Sequence, residues 1–328
     1  MTAQAFAHSP RAVNMNTDLL VAGESVVDFI PDRDGPFSVV ENFRKRAGGA
    51  PANVAVRLAA LGPAPLLWTR LGAGPFGQYL SETLHDCGIP TDYIIQDPTA
   101  KTTLAFASRT DDETQFSFYR ENTADTRFSS GTIPDETLAA ISWVSFGGVC
   151  LTADPSRAAI LGLAERAREH GCRTVFDPNA RPELWGDGFP EAFTEACSHA
   201  SIVKATPDDL REAGIDGPRT AQLDAILERG PDTAVLTLGK DGAVAKTTPS
   251  SPWDTRSAEH AGYAVDAVDP TGAGDAFTAG LIRAMADGRS LAGSLRFANA
   301  VAAVATTSDG AMSAAIDTAQ VDHLVDDG

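Results

Sequence analysis

Nine residues, Asp269-Pro270-Thr271-Gly272-Ala273-Gly274-Asp275-Ala276-Phe277, run from a turn of small residues into the helical pattern Ala276 to Met285. A glycine-rich loop feeding a helix start leaves backbone N–H groups unshielded at the positive end of the helix dipole, and glycine lets an anion approach closely. Gly272, Ala273 and Gly274 are therefore read as a phosphate cradle. An aspartate beside such a cradle is out of place in a static anion site. It suits a group that accepts a hydroxyl proton next to a transferring phosphoryl, so Asp275 is the candidate general base. A helix cap is its plainer role.

Asp28, after Gly23-Glu24, can accept two hydroxyl protons, and Asn53 offers both a donor and an acceptor behind Gly48-Gly49, where the backbone can come close to a ligand. A strand-end carboxylate and a turn are the alternatives there. Gly72-Ala73-Gly74-Pro75-Phe76-Gly77 matches the dinucleotide fingerprint and keeps a nicotinamide-dependent oxidoreductase in view. Against that, it is not at the first strand, Pro75 removes a backbone donor, and no acidic residue clearly ends the next strand. No G-x-x-x-x-G-K-[ST] occurs, which argues against a P-loop enzyme.

Alternating elements must position these residues. Short apolar runs at Leu19 to Val27, Pro65 to Thr69, Trp143 to Phe146, Thr174 to Phe176, Ser201 to Val203 and Ala234 to Thr237 predict buried strands. Helical spacing at Ala52 to Leu61, Arg157 to His170 and Ala221 to Arg229 falls between them, so the class is α/β with a mainly parallel sheet. Two stretches break the rhythm, Gly35 to Arg46 and Thr102 to Arg120, the second with a polar turn at Asp111 and Asp112. They are read as extra antiparallel strands forming a small β lid. The expected division is a core of 17–34, 47–101 and 121–328, a lid of 35–46 and 102–120, and a flexible extension of 1–16.

The two glycine-bearing motifs together resemble the PfkB, or ribokinase-like, carbohydrate kinase family. Asp269 to Phe277 matches its C-terminal signature, with Pro270 where threonine is common, and Gly48 to Ala55 with Leu58 and Leu61-Gly62 matches the other. The likeness runs in order from Leu19 to Ser313. It implies a three-layer αβα core with a β-sheet lid, ATP and Mg²⁺ as cofactors, and a sugar held by Asp28, Gly48, Gly49 and Asn53. It also implies a nucleotide site at Thr237, Gly239, Gly242 and Asn299, with Lys204, Thr206 and Asp209 near the phosphates and magnesium. Asp209 stands where a glutamate is usual, which shortens its reach. Asp269 and the carbonyl of Thr271 match a site where many relatives hold a monovalent cation, so K⁺ is a candidate.

Phe118-Tyr119-Arg120 and Asp177-Pro178-Asn179 with Arg181 look like fructokinases, and kinases of 2-keto-3-deoxygluconate share much of the pattern. Tyr119 and Arg120 are assigned to the sugar, and Arg181 to charge on the transferring group. Surface salt bridges are the alternative for both arginines. A non-catalytic sugar or nucleotide sensor is a third class, but it would be expected to lose Asp275 or its glycines, and this chain keeps them.

Composition bounds the partners. With 26 Lys+Arg against 44 Asp+Glu, a formal charge of −18 repels nucleic acid and anionic membranes. The lysines are Lys45, Lys101, Lys204, Lys240 and Lys246, and the aspartate-rich surface suggests adaptation to high salt. Cys87, Cys150, Cys172 and Cys197 lack CxxC spacing and read as buried thiols of a reducing cytoplasm. A small-molecule sugar is the expected partner, with a homodimer through the lid left open.

Overall fold

The computed structural model describes residues 17–109, 114–312 and 316–327; the expected extension 1–16 and the turn at Asp111 and Asp112 lie outside the described residues. The strands are β1 (Leu19–Ala22), β2 (Val26–Pro31), β3 (Phe43–Gly48), β4 (Leu66–Gly72), β5 (Ile94–Asp97), β6 (Leu104–Arg109), β7 (Thr114–Tyr119), β8 (Trp143–Gly147), β9 (Arg173–Asp177), β10 (Ile202–Ala205), β11 (Thr233–Thr237), β12 (Ala243–Thr247) and β13 (Ser257–His260). The helices are α1 (Ala50–Leu61), α2 (Pro75–Asp86), α3 (Asp135–Leu138), α4 (Ser156–Glu169), α5 (Phe189–Ser198), α6 (Pro207–Glu212), α7 (Arg219–Leu227), α8 (Ala273–Ala286), α9 (Leu291–Thr306) and α10 (Thr318–Asp327).

Among the described residues, nine strands form one sheet in the order β13-β12-β11-β10-β9-β8-β1-β4-β5, parallel except at β12 and β13. Both faces are covered, so the strands read as continuous apolar runs. Leu20 and Ala22 of β1 face a core that includes Ile160 and Leu163 of α4 and Phe193 of α5, while Leu19 and Val21 face one that includes Leu58 of α1 and Leu281 of α8. The chain leaves β1 toward β4 and β5 on one side and returns to β8 on the other. The order therefore reverses at β1, and a crevice opens there at the carboxyl ends of the strands.

The second sheet, β3-β2-β6-β7, differs from expectation in composition and in sense. The run Leu19 to Val27 is not one strand: it breaks at Gly23 to Ser25, and Val26–Pro31 joins the lid rather than the core. Gly23 has φ +151, and a Cβ there would fall 2.4 Å from Pro51, so the chain turns out of the core at a residue that needs no side chain. Asp28 is thus a lid residue. The lid is also mixed, since β2 pairs antiparallel with β3 but parallel with β6. Of the segment 35–46, only Phe43 onward is strand β3.

Gly72 to Gly77 does link a strand to a helix, β4 to α2, but the glycines there serve packing. A Cβ on Gly77 would stand 1.6 Å from the Gly72 carbonyl oxygen, and α2 leans on the lid through Phe76 against Phe29. Among the described residues, no helix is long and apolar enough to cross a membrane.

Candidate active site

The site is built outward from α8. Its cap residue Gly272 has φ +78, and a Cβ would come 2.6 Å from that of Ala311, so the left-handed cap and its close neighbour both require glycine. Asp275 lies in the first turn. Its Oδ2 accepts a hydrogen bond from Asn53 Nδ2 of α1 at 2.7 Å. Burial raises the Asp275 carboxyl from 3.8 to about 6, against the Asn53 bond and the positive charges of Lys204 and Arg181, with Asp177 adding to the rise. That range suits a group that must accept a proton near neutrality and release it again.

Lys204, at the end of β10, supports the loop from beneath. Its Nζ donates to Asp177 Oδ2 at 2.9 Å, and Thr278 Oγ1 of α8 donates to the same oxygen at 2.8 Å. A Cβ on Gly274 would meet that Nζ at 3.3 Å, which puts the ammonium directly under the loop backbone. Burial alone would lower the Lys204 pKa, but Asp177 and Asp209 hold it above its usual value, so the charge persists.

Two cavities meet at Pro270. The first, about 470 Å³, lies between the lid and the strand ends and is lined by Asp28, Gly49, Asn53, Arg181, Thr271 and Asp275 among others. Gly48 is needed because a Cβ there would stand 1.9 Å from Asp28 Oδ2, and Gly49, at φ +103, because a Cβ would stand 2.5 Å from the Glu24 carbonyl oxygen. Burial pushes the Asp28 carboxyl up to about 7, against Arg181 and with Asp275 adding repulsion. Asn53 Oδ1 is buried without a hydrogen-bond partner, an acceptor facing a polar cavity. Arg181 donates to the Ala180 carbonyl at 2.8 Å and lies over the Phe116 ring.

The second cavity, about 790 Å³, is lined by Thr206, Thr237, Gly239, Gly242, Ala273, Gly274 and Asn299. Asn299 Nδ2 is taken by the Leu295 carbonyl. The segment Ala261 to Val265 and Ala267 also lines this cavity, with no motif in the sequence to mark it.

Three expected residues behave otherwise. Tyr119 is 64% exposed and meets Phe106 edge to face, on the face of β7 opposite Phe116 and Phe118, and those two phenylalanines line the cavity instead. Strand alternation permits one face or the other, and pairing with β6 turns Tyr119 outward. Arg120 lines the cavity, but its guanidinium is held by Asp125 Oδ2 at 2.6 Å, Thr152 Oγ1 at 2.6 Å and the Val149 carbonyl at 3.1 Å, as a buried structural ion pair. Asp209 closes a capping box on Thr206 and accepts the Ala180 N–H, so both its oxygens are engaged at the start of α6. Asp269 Oδ1 accepts the Thr271 N–H, and Oδ2 the Gly310 N–H. Next to Gly310, Asp309 takes Arg46 of the lid at 2.6 Å, which links the lid to the anion loop.

A family model described as pfkB family carbohydrate kinase matches residues 16–319. The chain belongs to this family. It is 34% identical over 310 residues to fructokinase-1 of Oryza sativa subsp. japonica, covering 90% of this chain and 94% of that one. The ATP-bound fructokinase from Xylella fastidiosa superposes with a TM-score of 0.84 at 28% identity, over 94% of this chain and 98% of that one. A fructokinase double mutant from Vibrio cholerae O395, with fructose, ADP and potassium ion bound, gives 0.82 at 29%, over 94% and 98%. The pfkB chain described here is thus a phosphotransferase acting on a carbohydrate, with a three-layer core and a small lid sheet.

Proposed function

We propose that this pfkB kinase is a fructokinase that transfers the γ-phosphate of ATP to a hydroxyl of fructose, with Asp275 as general base. The observation that carries this reading is the meeting of the two cavities at one loop: Pro270 lines both, Asp275 the smaller, and Ala273 and Gly274 the larger. The relatives named fructokinase supply the sugar. ATP occupies the larger cavity and directs its γ-phosphate at the N–H groups of Gly272 to Gly274. Fructose occupies the smaller one, under Asp28 and beside Asn53. The acceptor hydroxyl gives its proton to Asp275 as its oxygen bonds to phosphorus, and the bond to the β-phosphate oxygen breaks to leave ADP. Asn53 holds the Asp275 carboxyl in place, and Arg181 offsets charge on the transferring group. General-base help is worth ~10²- to 10⁴-fold, and the loop's electrostatics supply more.

Magnesium, bound to the nucleotide's phosphates, would neutralise their charge. A monovalent cation would fit at the Asp269 carboxylate and the Thr271 carbonyl, where Asp269 already ties the loop to Gly310. Potassium should then speed turnover beyond equal sodium, and identical rates would count against the site. A dimer through the outer lid face, where Phe29, Phe43, Phe106 and Tyr119 cluster, is proposed on those rings and would appear as twice the chain mass in sedimentation. Four free thiols support a reducing cytoplasm, and the charge of −18 supports work at high salt, testable as activity lost on dialysis to low salt.

The test of substrate is ADP release with Mg-ATP in ~2 M KCl, salt that screens carboxylate repulsion, across fructose, 2-keto-3-deoxygluconate, ribose and adenosine. Preference for fructose is expected. Preference for another sugar would overturn the substrate assignment, and silence across the panel would favour a sensor.

A further inference from the structure

The sugar cavity contains a carboxyl that no motif marks. Glu24 follows β1 at the point where the chain turns into the lid, is 3% exposed, and lines the cavity with Val26, Asp28 and Val149. Its neighbours are poorly suited to hold a charge. Cys150 Sγ stands 3.6 Å from Oε2, and a thiol is a weak donor. The nearby cation, Arg120, is committed to Asp125, Thr152 and the Val149 carbonyl, and Asp125 Oδ1 accepts Thr103 and Thr123 hydroxyls at 2.5 and 2.7 Å. Burial raises the Glu24 carboxyl to about 7, against its own backbone N–H and Arg120, and Asp125 adds to the rise.

A buried carboxyl on a cavity wall whose donors are its own backbone N–H and a weak thiol has acceptor capacity to spare, and sugar hydroxyls are donors. Above the values of about 7 to which burial raises Glu24 and Asp28, a sugar acid would bring a further negative charge to a wall that has Glu24, Asp28, Asp34 and Asp275. Its cations are Arg120, bound to Asp125, and Arg181. Like charges brought together in a poorly solvated space repel strongly.

We propose that Glu24 contacts the sugar and determines specificity, accepting hydroxyl hydrogens of a neutral sugar and, with Arg120 already neutralised by Asp125, discriminating against sugar acids. The inference rests on the phosphotransfer reading given above and adds a residue and a selection rule to it.

Initial rates of ADP release on fructose and on 2-keto-3-deoxygluconate, measured above the Glu24 value of about 7 so that the carboxyl is ionised, compare the wild type with Glu24→Gln. Glutamine keeps the shape and removes the charge. The KM for fructose should rise on the order of 10-fold or more, the scale of a hydrogen bond to a charged group, while kcat stays within about threefold. The preference for fructose over the acid should shrink by a similar factor, and fructose should protect the variant less against thermal unfolding. If Glu24→Gln does not fold, Glu24→Asp, which keeps the charge but withdraws it by one methylene, is read instead: the KM for fructose should rise on the same scale while the discrimination against the acid persists. A variant with wild-type KM, even if less stable, would make Glu24 structural and overturn the proposal, as would a wild type that uses the acid as well as fructose. A wild type that phosphorylates neither sugar would sink the phosphotransfer reading, and this one with it.

Discussion

Replacing Asp275 with asparagine should stabilise the protein while removing its chemistry. Burial raises the carboxyl from 3.8 to about 6 in the folded chain. At about 1.4 kcal/mol per tenfold change in proton affinity, that difference corresponds to at most about 3 kcal/mol, reduced because the half-buried residue opens on a cavity that admits water. The sign follows from where the proton sits. Below 3.8 both folded and unfolded chains carry it, and the carboxyl costs nothing. Between 3.8 and about 6 the folded chain holds the proton while the unfolded chain has lost it, so stability falls as pH rises. Above that range the full penalty remains. Asparagine never ionises, and its oxygen can still accept the Asn53 bond. Asp275→Asn should therefore be more stable than the wild type at pH 8 by about 1–3 kcal/mol, a shift of a few degrees in Tm. The gap should close toward pH 4. The assay is thermal unfolding without ligands at fixed ionic strength, from pH 4 to pH 8. A variant less stable at pH 8, or a gap that does not change with pH, would refute the reasoning that burial sets this carboxyl's proton affinity.

Three further outcomes follow from the same geometry. Gly48→Ala places a methyl 1.9 Å from Asp28 Oδ2 and must displace that carboxyl, so the KM for sugar should rise at least about tenfold with a smaller change in kcat, as read from initial rates. Lys204→Met strands Asp177 as a buried charge and should cost about 3–5 kcal/mol in urea unfolding, with an unchanged midpoint arguing against the ion pair beneath the loop. In the wild type, kcat/KM should fall about tenfold per pH unit once pH drops below the Asp275 value of about 6, and a flat profile down to pH 5 would contradict its role as base.

Much of this site was legible in the sequence because backbone requirements leave a residue-type signature. Gly272 is glycine for its φ and for Ala311, and Gly48 and Gly49 for Asp28 and the Glu24 backbone, so close approach is written in the absence of side chains. What depends on pairing left no such mark. The apolar run Leu19 to Val27 conceals the break at Gly23 that carries Asp28 into the lid, since both halves are buried. Which of Phe118 and Tyr119 faces inward is set by the register with β6, and period-two alternation cannot choose its own phase. Arg120 lies five residues from Asp125, yet only the fold brings Thr152 and the Val149 carbonyl to its remaining donors. Glu24 draws its character from burial beside Cys150, a residue far along the chain.

The central claim is that phosphoryl transfer occurs at the seam between the two cavities with Asp275 taking the hydroxyl proton. Its most direct test is sugar-dependent ADP release by Asp275→Ala beside the wild type, with ATP binding to each measured by calorimetry. The account predicts ATP binding close to wild type in the variant and turnover lower by ~10²-fold or more. Near-normal turnover with fructose would contradict it.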